Sequence, residues 1–342
     1  MSSFSLPTDD EATKRWWLVV KRTCLLALIA LGAPLGARGE TIYVSSYELG
    51  QGENRLHRFD SAAPGVVLEA FEINPPLPYF SVEFDQATGE LYAFEHYNCA
   101  IPLCPYPYFD VAVIDPFTGQ STILETSGLE QFPFRDTEAD IQPVSREIRY
   151  FPRGLNAHIS LSTLELQVDA GLNEPANISA VAHAAAVGGG IETFAIASAS
   201  WLVGGSYALL RVGGPGGVPP ASSGEVTTIG QGEVVGLIRG FDVSANGTAY
   251  LVTMYDYDAP DGYHVENRLY TIDLATGASQ EVGMIAMPIP YSYVNGIAVA
   301  PPGLTSGAPE IPVLSHIGLA TLSLLLASTA LWRSRSNPSR VR

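Results

Sequence analysis

The sequence predicts an all-β protein whose body is a single β-propeller, and three observations support this prediction. The 342 residues include 33 glycines and 25 prolines, a proportion typical of many short strands joined by turns. No stretch of the body keeps a helical period of hydrophobic residues for more than two turns. A pattern of four strands instead recurs along residues 40–300.

The repeat is clearest in two pairs of matching segments. Residues 84–92 and 241–250 each contain Phe-Asp at the end of an apolar strand, a glycine turn, and a strand with a tyrosine. Residues 111–119 and 269–277 each contain Ile-Asp-x-x-Thr-Gly. Aspartate accepts hydrogen bonds from turn backbone and glycine supplies a positive φ, so these segments predict tight hairpins.

Counting such sets predicts the number of blades. Four sets begin near residues 79, 137, 177 and 235, and a fifth inner strand at 294–300 has no strands after it. Its partners are expected at the other end of the body, at residues 41–44, 55–60 and 66–71. Pairing the last strand with the first would close a ring of five blades. Six blades are the alternative if residues 177–234 hide another sheet.

The first 39 residues are typical of a signal peptide with a helical apolar segment. Lys21-Arg22 precedes an apolar run, and the small residues Ala37 and Gly39 fit cleavage before Glu40. A permanent N-terminal anchor is the alternative.

The other end of the chain predicts a membrane anchor. Residues 301–310 form a Pro/Gly/Ala-rich linker, and 317–332 form an apolar segment of about 24 Å as a helix. Four arginines and no acids follow the linker, which predicts a cytoplasmic tail and an external body.

Residues 311–342 resemble the IPTL-CTERM sorting domain of Gram-negative bacteria. The motif fits at Ile311, Pro312, Leu314, Ser315, Gly318 and Leu319 and departs at Val313, His316 and Ile317. The resemblance implies an exosortase-like transpeptidase as partner and a location at the envelope or cell surface. A plain tail anchor is the alternative.

The body is similar to a bacterial family of secreted propeller-like domains of unknown function. The segments that carry this likeness include 140–149, with Asp-Ile-Gln-Pro near its start, and 178–183, where His183 replaces a tyrosine. These motifs are mostly strand and turn chemistry, so the likeness implies a fold rather than an activity.

The net charge of the chain limits the classes of partner that it can bind. The chain has a formal net charge of −17, and residues 40–310 hold nine arginines against 32 acids. Such a body repels phosphate backbones, so nucleic acid is excluded as a partner.

No hydrolase, P-loop or zinc motif is present in the sequence. We therefore expect a monomeric, non-enzymatic binding or scaffold protein with an unknown extracellular ligand. A secreted Ca²⁺-dependent hydrolase or lactonase of the propeller type is the alternative.

Three groups of residues are candidates for chemistry or shape. Cys99 and Cys104 remain after signal cleavage, and an oxidising compartment favours a disulfide between them that shapes a loop. The loop acids Asp256, Asp258 and Asp261 offer oxygens to Ca²⁺, although they also fit a solvated acidic loop. The acids of residues 136–140 are expected on an exposed strand face.

Long insertions and connections are expected on one face of the propeller, and they are rich in tyrosine. The tyrosines on that face would contact a ligand or pack the loops: Tyr47, Tyr97, Tyr106, Tyr108, Tyr255, Tyr257, Tyr263, Tyr291 and Tyr293. Among them Tyr106, Tyr108, Tyr257 and Tyr263 are the strongest ligand candidates. No other cofactor is indicated.

Overall fold

The computed structural model describes residues 39–48, 53–77, 80–96, 109–124, 139–151, 154–174, 177–186, 188–198, 205–260, 262–289 and 291–304. Across these residues the chain forms five antiparallel sheets of four strands each. The predicted all-β, five-bladed propeller is therefore confirmed, and the six-bladed alternative is wrong.

The blades are numbered in chain order from the closing sheet. Blade 1 contains β20 (Ser292–Val299), β1 (Thr41–Glu48), β2 (Asn54–Asp60) and β3 (Val67–Glu72). Blade 2 contains β4 (Phe80–Phe84), β5 (Leu91–His96), β6 (Phe109–Ile114) and β7 (Ser121–Leu124). Blade 3 contains β8 (Asp140–Gln142), β9 (Glu147–Tyr150), β10 (Ala157–Ser160) and β11 (Leu166–Val168). Blade 4 contains β12 (Ile178–Ala185), β13 (Ile191–Ser198), β14 (Gly205–Val212) and β15 (Val226–Val234). Blade 5 contains β16 (Leu237–Val243), β17 (Ala249–Ala259), β18 (Gly262–Ile272) and β19 (Ser279–Ile285).

The ring closes as the sequence predicts. The last strand, β20, pairs antiparallel with β1, from Ile42 opposite Val299 to Glu48 opposite Ser292. Residues 177–234 form one blade, with two short 3₁₀ turns at Pro215–Gly217 and Ala221–Ser223 in the connection between β14 and β15.

The hydrophobic core lies between the faces of neighbouring blades. Alternate residues of a strand point to opposite faces of its sheet, and apolar residues occupy both faces of a blade, where they pack against the blades on either side. Between blades 4 and 5, for example, Ala182, Ala184 and Phe194 pack against Phe241 and Leu251, and all five are buried. Equivalent clusters join blades 2 and 3, blades 3 and 4, and blades 5 and 1.

The Asp-x-x-Thr-Gly hairpins have the predicted chemistry. The Asp115 side chain accepts a hydrogen bond from the Phe117 N–H at 2.9 Å, and Gly119 has a φ of +75°. In the matching hairpin of blade 5, Asp273 accepts from the Ala275 N–H at 2.8 Å and Gly277 has a φ of +75°.

One detail of the predicted repeat is wrong: the two Phe-Asp pairs do not occupy equivalent positions. The Asp85 N–H donates to the Glu90 carbonyl and closes the first hairpin of blade 2. In blade 5 the closing residue is Ser244, whose N–H donates to the Thr248 carbonyl. Asp242 therefore corresponds to Glu83, not to Asp85. A shift of two residues preserves strand alternation, so the sequence pattern concealed it.

The chain divides into two units, residues 1–301 and 302–342, and the propeller belongs to the first. The predicted signal peptide, the linker beyond residue 304, the membrane segment 317–332 and the motif at 311–318 lie outside the described residues. Within the described part, no helix has the length and apolar character needed to cross a membrane.

Candidate functional site

The predicted loop insertion in blade 5 is a regular β-hairpin. Strands β17 and β18 pair as far as Ala259 opposite Gly262. The inner strand reaches only to Met254, and the outer strand pairs only as far as Asn267. The last five pairs, residues 255–259 with 262–266, therefore form a two-stranded extension beyond the sheet, which we call the ribbon.

One face of the ribbon carries a column of stacked rings. The Tyr255 and Tyr257 rings lie 5.1 Å apart, and Tyr257 stacks on His264 at 5.3 Å. The Tyr257 hydroxyl donates to Glu266 at 3.0 Å, and Glu266 is also bound by Arg268 at 2.6 Å. The salt bridge to Arg268 lowers the pKa of Glu266 below its usual value, so this carboxylate stays ionised and orients Tyr257.

The opposite face of the ribbon joins the segment that leads into β20. The Tyr263 ring lies 5.9 Å from the Tyr291 ring, and its hydroxyl bonds both Asp256, at 2.5 Å, and the Tyr293 hydroxyl. Tyr291 is 42% exposed and has a φ of +69°. A bulky residue rarely adopts that backbone conformation, and such strain often accompanies ligand-binding positions.

The structure describes some of the tyrosines predicted from the sequence, but not all of them. Tyr257 and Tyr263 lie on opposite faces of the ribbon, and Tyr263 is brought together with Tyr291 and Tyr293. Tyr106, Tyr108, Cys99 and Cys104 lie outside the described residues. Their predicted ligand and disulfide roles stay predictions.

The predicted calcium acids do not form a loop. Asp256 and Asp258 belong to strand β17, where Asp256 accepts the hydrogen bond from Tyr263; Asp261 lies outside the described residues. The described acids that could ligate one metal ion together are three others: Glu83, Asp140 and Asp242.

These three acids occupy equivalent positions in three inner strands. Each stands two residues before the residue at which the first hairpin of its blade begins. The same position in all five blades is occupied by Ala298, Glu83, Asp140, Ala184 and Asp242, in blade order. Inner strands surround the axis of a propeller, so we call Glu83, Asp140 and Asp242 the channel acids.

The channel acids converge and are buried. One carboxylate oxygen from each lies within 4.8 Å of the others, and the three residues are only 2–3% exposed. The Asp140 carboxylate accepts the backbone N–H of His183 in blade 4. The Asp242 carboxylate accepts that of Val299 in blade 1. Glu83 accepts the N–H of Phe84 at 2.8 Å.

Backbone geometry explains part of this arrangement. An inner strand pairs on one side only, so its other edge presents N–H groups that are costly to bury unpaired. Two of the acids reach the neighbouring blades that carry alanine, and there they satisfy such groups.

Burial strongly perturbs these carboxyl groups. It raises the pKa of Asp242 to about 7, although the N–H groups of Val299 and Val243 oppose the shift. Burial and the charge of Asp242 also raise the pKa of Asp140 well above its usual value. Three carboxylates this close in a low-dielectric site favour either shared protons or a bound cation.

The sequence did not reveal this cluster. Asp140 was expected on an exposed face of the 136–140 segment, but that expectation is wrong because Asp140 is 3% exposed and faces the next blade. The three acids come from three blades, and no local motif links them. One signal in the sequence could have revealed the cluster. In three of the five inner strands, an acid stands two residues before the first hairpin.

Fold and site together define a five-bladed β-propeller with buried acids at its axis and an aromatic ribbon at one end. Residues 55–298 match the family described as domain of unknown function DUF4394, and this match covers most of the chain. The chain therefore belongs to the DUF4394 family. A comparison with curated proteins finds no match, so no activity is carried over from a relative.

Proposed function

We propose that the protein is an exported, envelope-anchored binding protein without enzymatic activity. In this proposal the propeller is a rigid support that presents the ribbon and its neighbouring tyrosines to an extracellular ligand. The observation that carries it is the ribbon itself, in which five residue pairs extend beyond the sheet and carry tyrosines on both faces. Tyrosine supplies large contact area at low entropic cost, and loops on a rigid scaffold commonly bind ligands.

The strained and exposed Tyr291 supports the same proposal. Its ring lies beside Tyr263, whose hydroxyl is held by Asp256 and Tyr293. The two rings are oriented before any ligand arrives, and pre-organised contacts reduce the entropic cost of binding.

The sequences at the two ends of the chain support the proposed location. The basic and apolar residues before Glu40 support export, and the apolar segment 317–332 with its arginine tail supports a membrane anchor. The motif at Ile311 and Pro312 supports recognition by an exosortase-like transpeptidase, which would move the body to the cell surface.

A propeller hydrolase that uses a channel cation is the competing function. The convergence of three acids at the axis favours it, because such enzymes hold a catalytic ion there. A catalytic ion must also be open to a substrate, whereas all three acids are only 2–3% exposed. This burial favours the non-enzymatic proposal.

The ribbon hypothesis is tested by binding of the purified protein to bacterial envelope preparations. We expect Tyr257→Ala together with Tyr291→Ala to weaken retention by about tenfold or more, as for aromatic contacts in other interfaces. Val144→Ala is the control, because Val144 is 76% exposed in the β8–β9 hairpin at the opposite end of the propeller. Equal retention of wild type and the double variant would contradict the proposal.

The anchor is tested by cell fractionation. Deleting residues 311–342 is expected to release the exported body from the membrane, because that segment is the only long apolar one left after signal cleavage. Pro312→Ala is expected to block shortening by about 3 kDa, that is ~32 residues, but to leave membrane association intact. Identical fractionation of truncated and full-length protein would show that the segment is not an anchor.

A further inference from the structure

We propose that the channel acids bind one divalent cation, Ca²⁺ in preference to Mg²⁺, which joins blades 2, 3 and 5 at the axis. This site is separate from the ribbon, and it goes beyond the binding role proposed above. The ligands are the carboxylates of Glu83, Asp140 and Asp242. Because they are buried, the ion holds the ring together and does not act on a substrate.

The spacing of the oxygens favours calcium. The three oxygens are no more than 4.8 Å apart. Some point therefore lies within about 2.8 Å of all three oxygens, close to the roughly 2.3–2.6 Å of calcium–oxygen bonds. Magnesium requires about 2.0–2.1 Å in a near-ideal octahedron, and zinc prefers nitrogen and sulfur ligands. Three hard anionic oxygens from three separate blades favour Ca²⁺, because calcium accepts flexible geometry whereas magnesium gives up its waters reluctantly.

A buried hydroxyl next to the acids supplies independent support. Ser81 precedes Glu83 by two residues on β4, so its side chain projects from the same strand face. Ser81 is 2% exposed, and its Oγ has no hydrogen-bond partner among the described residues. Buried hydroxyls almost always have a partner. A cation held by Glu83, with a water in its coordination shell, gives this hydroxyl one.

A second buried polar atom is also without a partner. His183 is 5% exposed, its backbone N–H donates to Asp140, and its Nδ1 lies 3.2 Å from the Thr193 hydroxyl. Its Nε2 has no partner among the described residues. Ala182 and Ala184 face blade 5, so strand alternation directs His183 toward blade 3. The Thr193 hydroxyl on β13 holds the imidazole ring away from the axis, so this atom gives no support for the ion.

The backbone bonds prepare the acids for an ion. Each carboxylate is oriented by backbone N–H groups, and its roughly four lone-pair positions allow it to ligate a metal as well. Ala184 and Ala298 occupy the same position in the other two inner strands and bring no polar or charged group that would compete with the acids for the ion. The remaining ligands of a six- to eight-coordinate ion are waters.

The test is calcium titration of the purified full-length chain after removal of metal with EDTA. We expect one Ca²⁺ per chain by calorimetry. At about 100 times the Kd, bound calcium should raise the Tm by roughly 5–10 °C. In Asp140→Asn with Asp242→Asn, the amide oxygens still accept the backbone N–H bonds but the charges are lost. This variant should bind calcium about 100-fold more weakly or not at all. Magnesium should give a shift several-fold smaller than calcium.

The matched control is Asp256→Asn with Asp258→Asn, which removes two acids from the ribbon and should leave calcium binding unchanged. If the channel variant fails to fold, terbium luminescence of wild-type protein, displaced by calcium, gives a second readout. A folded wild type with no calcium heat, no Tm shift and no terbium signal would overturn the proposal, since the acids would then only share protons. Retention of the calcium response by the channel variant would also overturn it. Loss of envelope binding by Tyr257→Ala with Tyr291→Ala, with calcium binding retained, would support both proposals, whereas loss of calcium binding by that variant would contradict a separate site at the axis.

Discussion

The two acidic regions of this propeller contain the same residue types in opposite environments. In the ribbon, Asp256 and Asp258 are close in sequence, and the bond from the Tyr263 hydroxyl occupies Asp256. At the axis, Glu83, Asp140 and Asp242 come from three blades and are buried together. Proximity in sequence therefore did not identify the acids that converge, because closure of the ring, and not the local chain, brings Glu83, Asp140 and Asp242 together.

The environments also predict different energetic roles. A half-exposed carboxylate bound to a tyrosine contributes little to global stability because water competes for the bond. A buried carboxylate that accepts a backbone N–H contributes more, since its removal leaves a buried donor unsatisfied. Substitutions in the two regions should therefore differ in their effect on the free energy of unfolding.

The largest effect is expected from removing a channel acid altogether. Asp242→Ala leaves the Val299 N–H without its acceptor and should lower the free energy of unfolding by about 2–3 kcal/mol in calcium. Asp258→Ala in the ribbon should change it by no more than about 0.5 kcal/mol. Urea denaturation of both variants measures the difference. Similar losses in the two would mean that the channel acid has no special role.

Removing only the charge of Asp242 is expected to change the free energy of unfolding in opposite directions without and with calcium. Asp242→Asn keeps an acceptor for Val299 but removes a buried charge beside Asp140. In EDTA at pH 8 it should raise the free energy of unfolding by about 1–3 kcal/mol, since wild type must keep a buried charge there. In saturating calcium it should lower that free energy, because a ligand is lost. A change in the same direction in EDTA and in calcium would contradict calcium binding by the channel acids.

The pH dependence of the metal-free protein follows from the raised pKa of Asp242, about 7 in the folded state. Between about pH 4 and pH 7 the folded carboxyl holds a proton that the unfolded one releases. The free energy of unfolding should therefore fall as pH rises through this window, by up to about 1.4 kcal/mol per pH unit for one proton.

The groups that act on Asp242 here are Asp140, Glu83 and the backbone N–H groups of Val299 and Val243, with a further contribution from Glu40. Asp242→Asn should make the free energy of unfolding depend less on pH. Calcium should oppose its fall with rising pH, because calcium binds the ionised carboxylate. Denaturation curves between pH 4 and pH 8 measure this, and a wild-type profile rising across that range would be inconsistent with it.

The smallest global effect is expected in the ribbon. Tyr263→Phe removes the hydroxyl that bonds Asp256 and Tyr293, and should lower the free energy of unfolding by less than about 1 kcal/mol. It should nevertheless speed amide hydrogen exchange of the ribbon by severalfold, because local opening becomes easier. Tyr207→Phe is the matched control: its buried hydroxyl donates to the Gly277 carbonyl at 2.8 Å, so its loss should destabilise the whole propeller. Slower ribbon exchange in Tyr263→Phe would be the contrary result.

Most of the fold could be predicted from sequence, because each blade repeats local rules. The turn residues Asp115 and Gly119, and the pairing of the last strand with the first, follow from hairpin chemistry and from counting strands. The first hairpin of blade 3 is less predictable: Arg146 has a φ of +54° where blade 2 has Gly89, and its side chain forms an ion pair with Asp85 at 2.6 Å.

The candidate sites could be predicted only where they are local. The tyrosines of the ribbon are visible in the sequence, whereas their division between two faces depends on strand pairing. The channel acids were missed because an acid within a strand pattern suggests exposure. Only closure of the ring places three of them at a buried axis.

The metal content of the purified protein measures directly whether the channel acids hold a cation. Without added metal, elemental analysis should find about one calcium per chain in wild type and in Asp256→Asn with Asp258→Asn. It should find essentially none in Asp140→Asn with Asp242→Asn. Wild-type protein that is folded and calcium-free, or equal calcium in all three proteins, would contradict a cation at the channel acids.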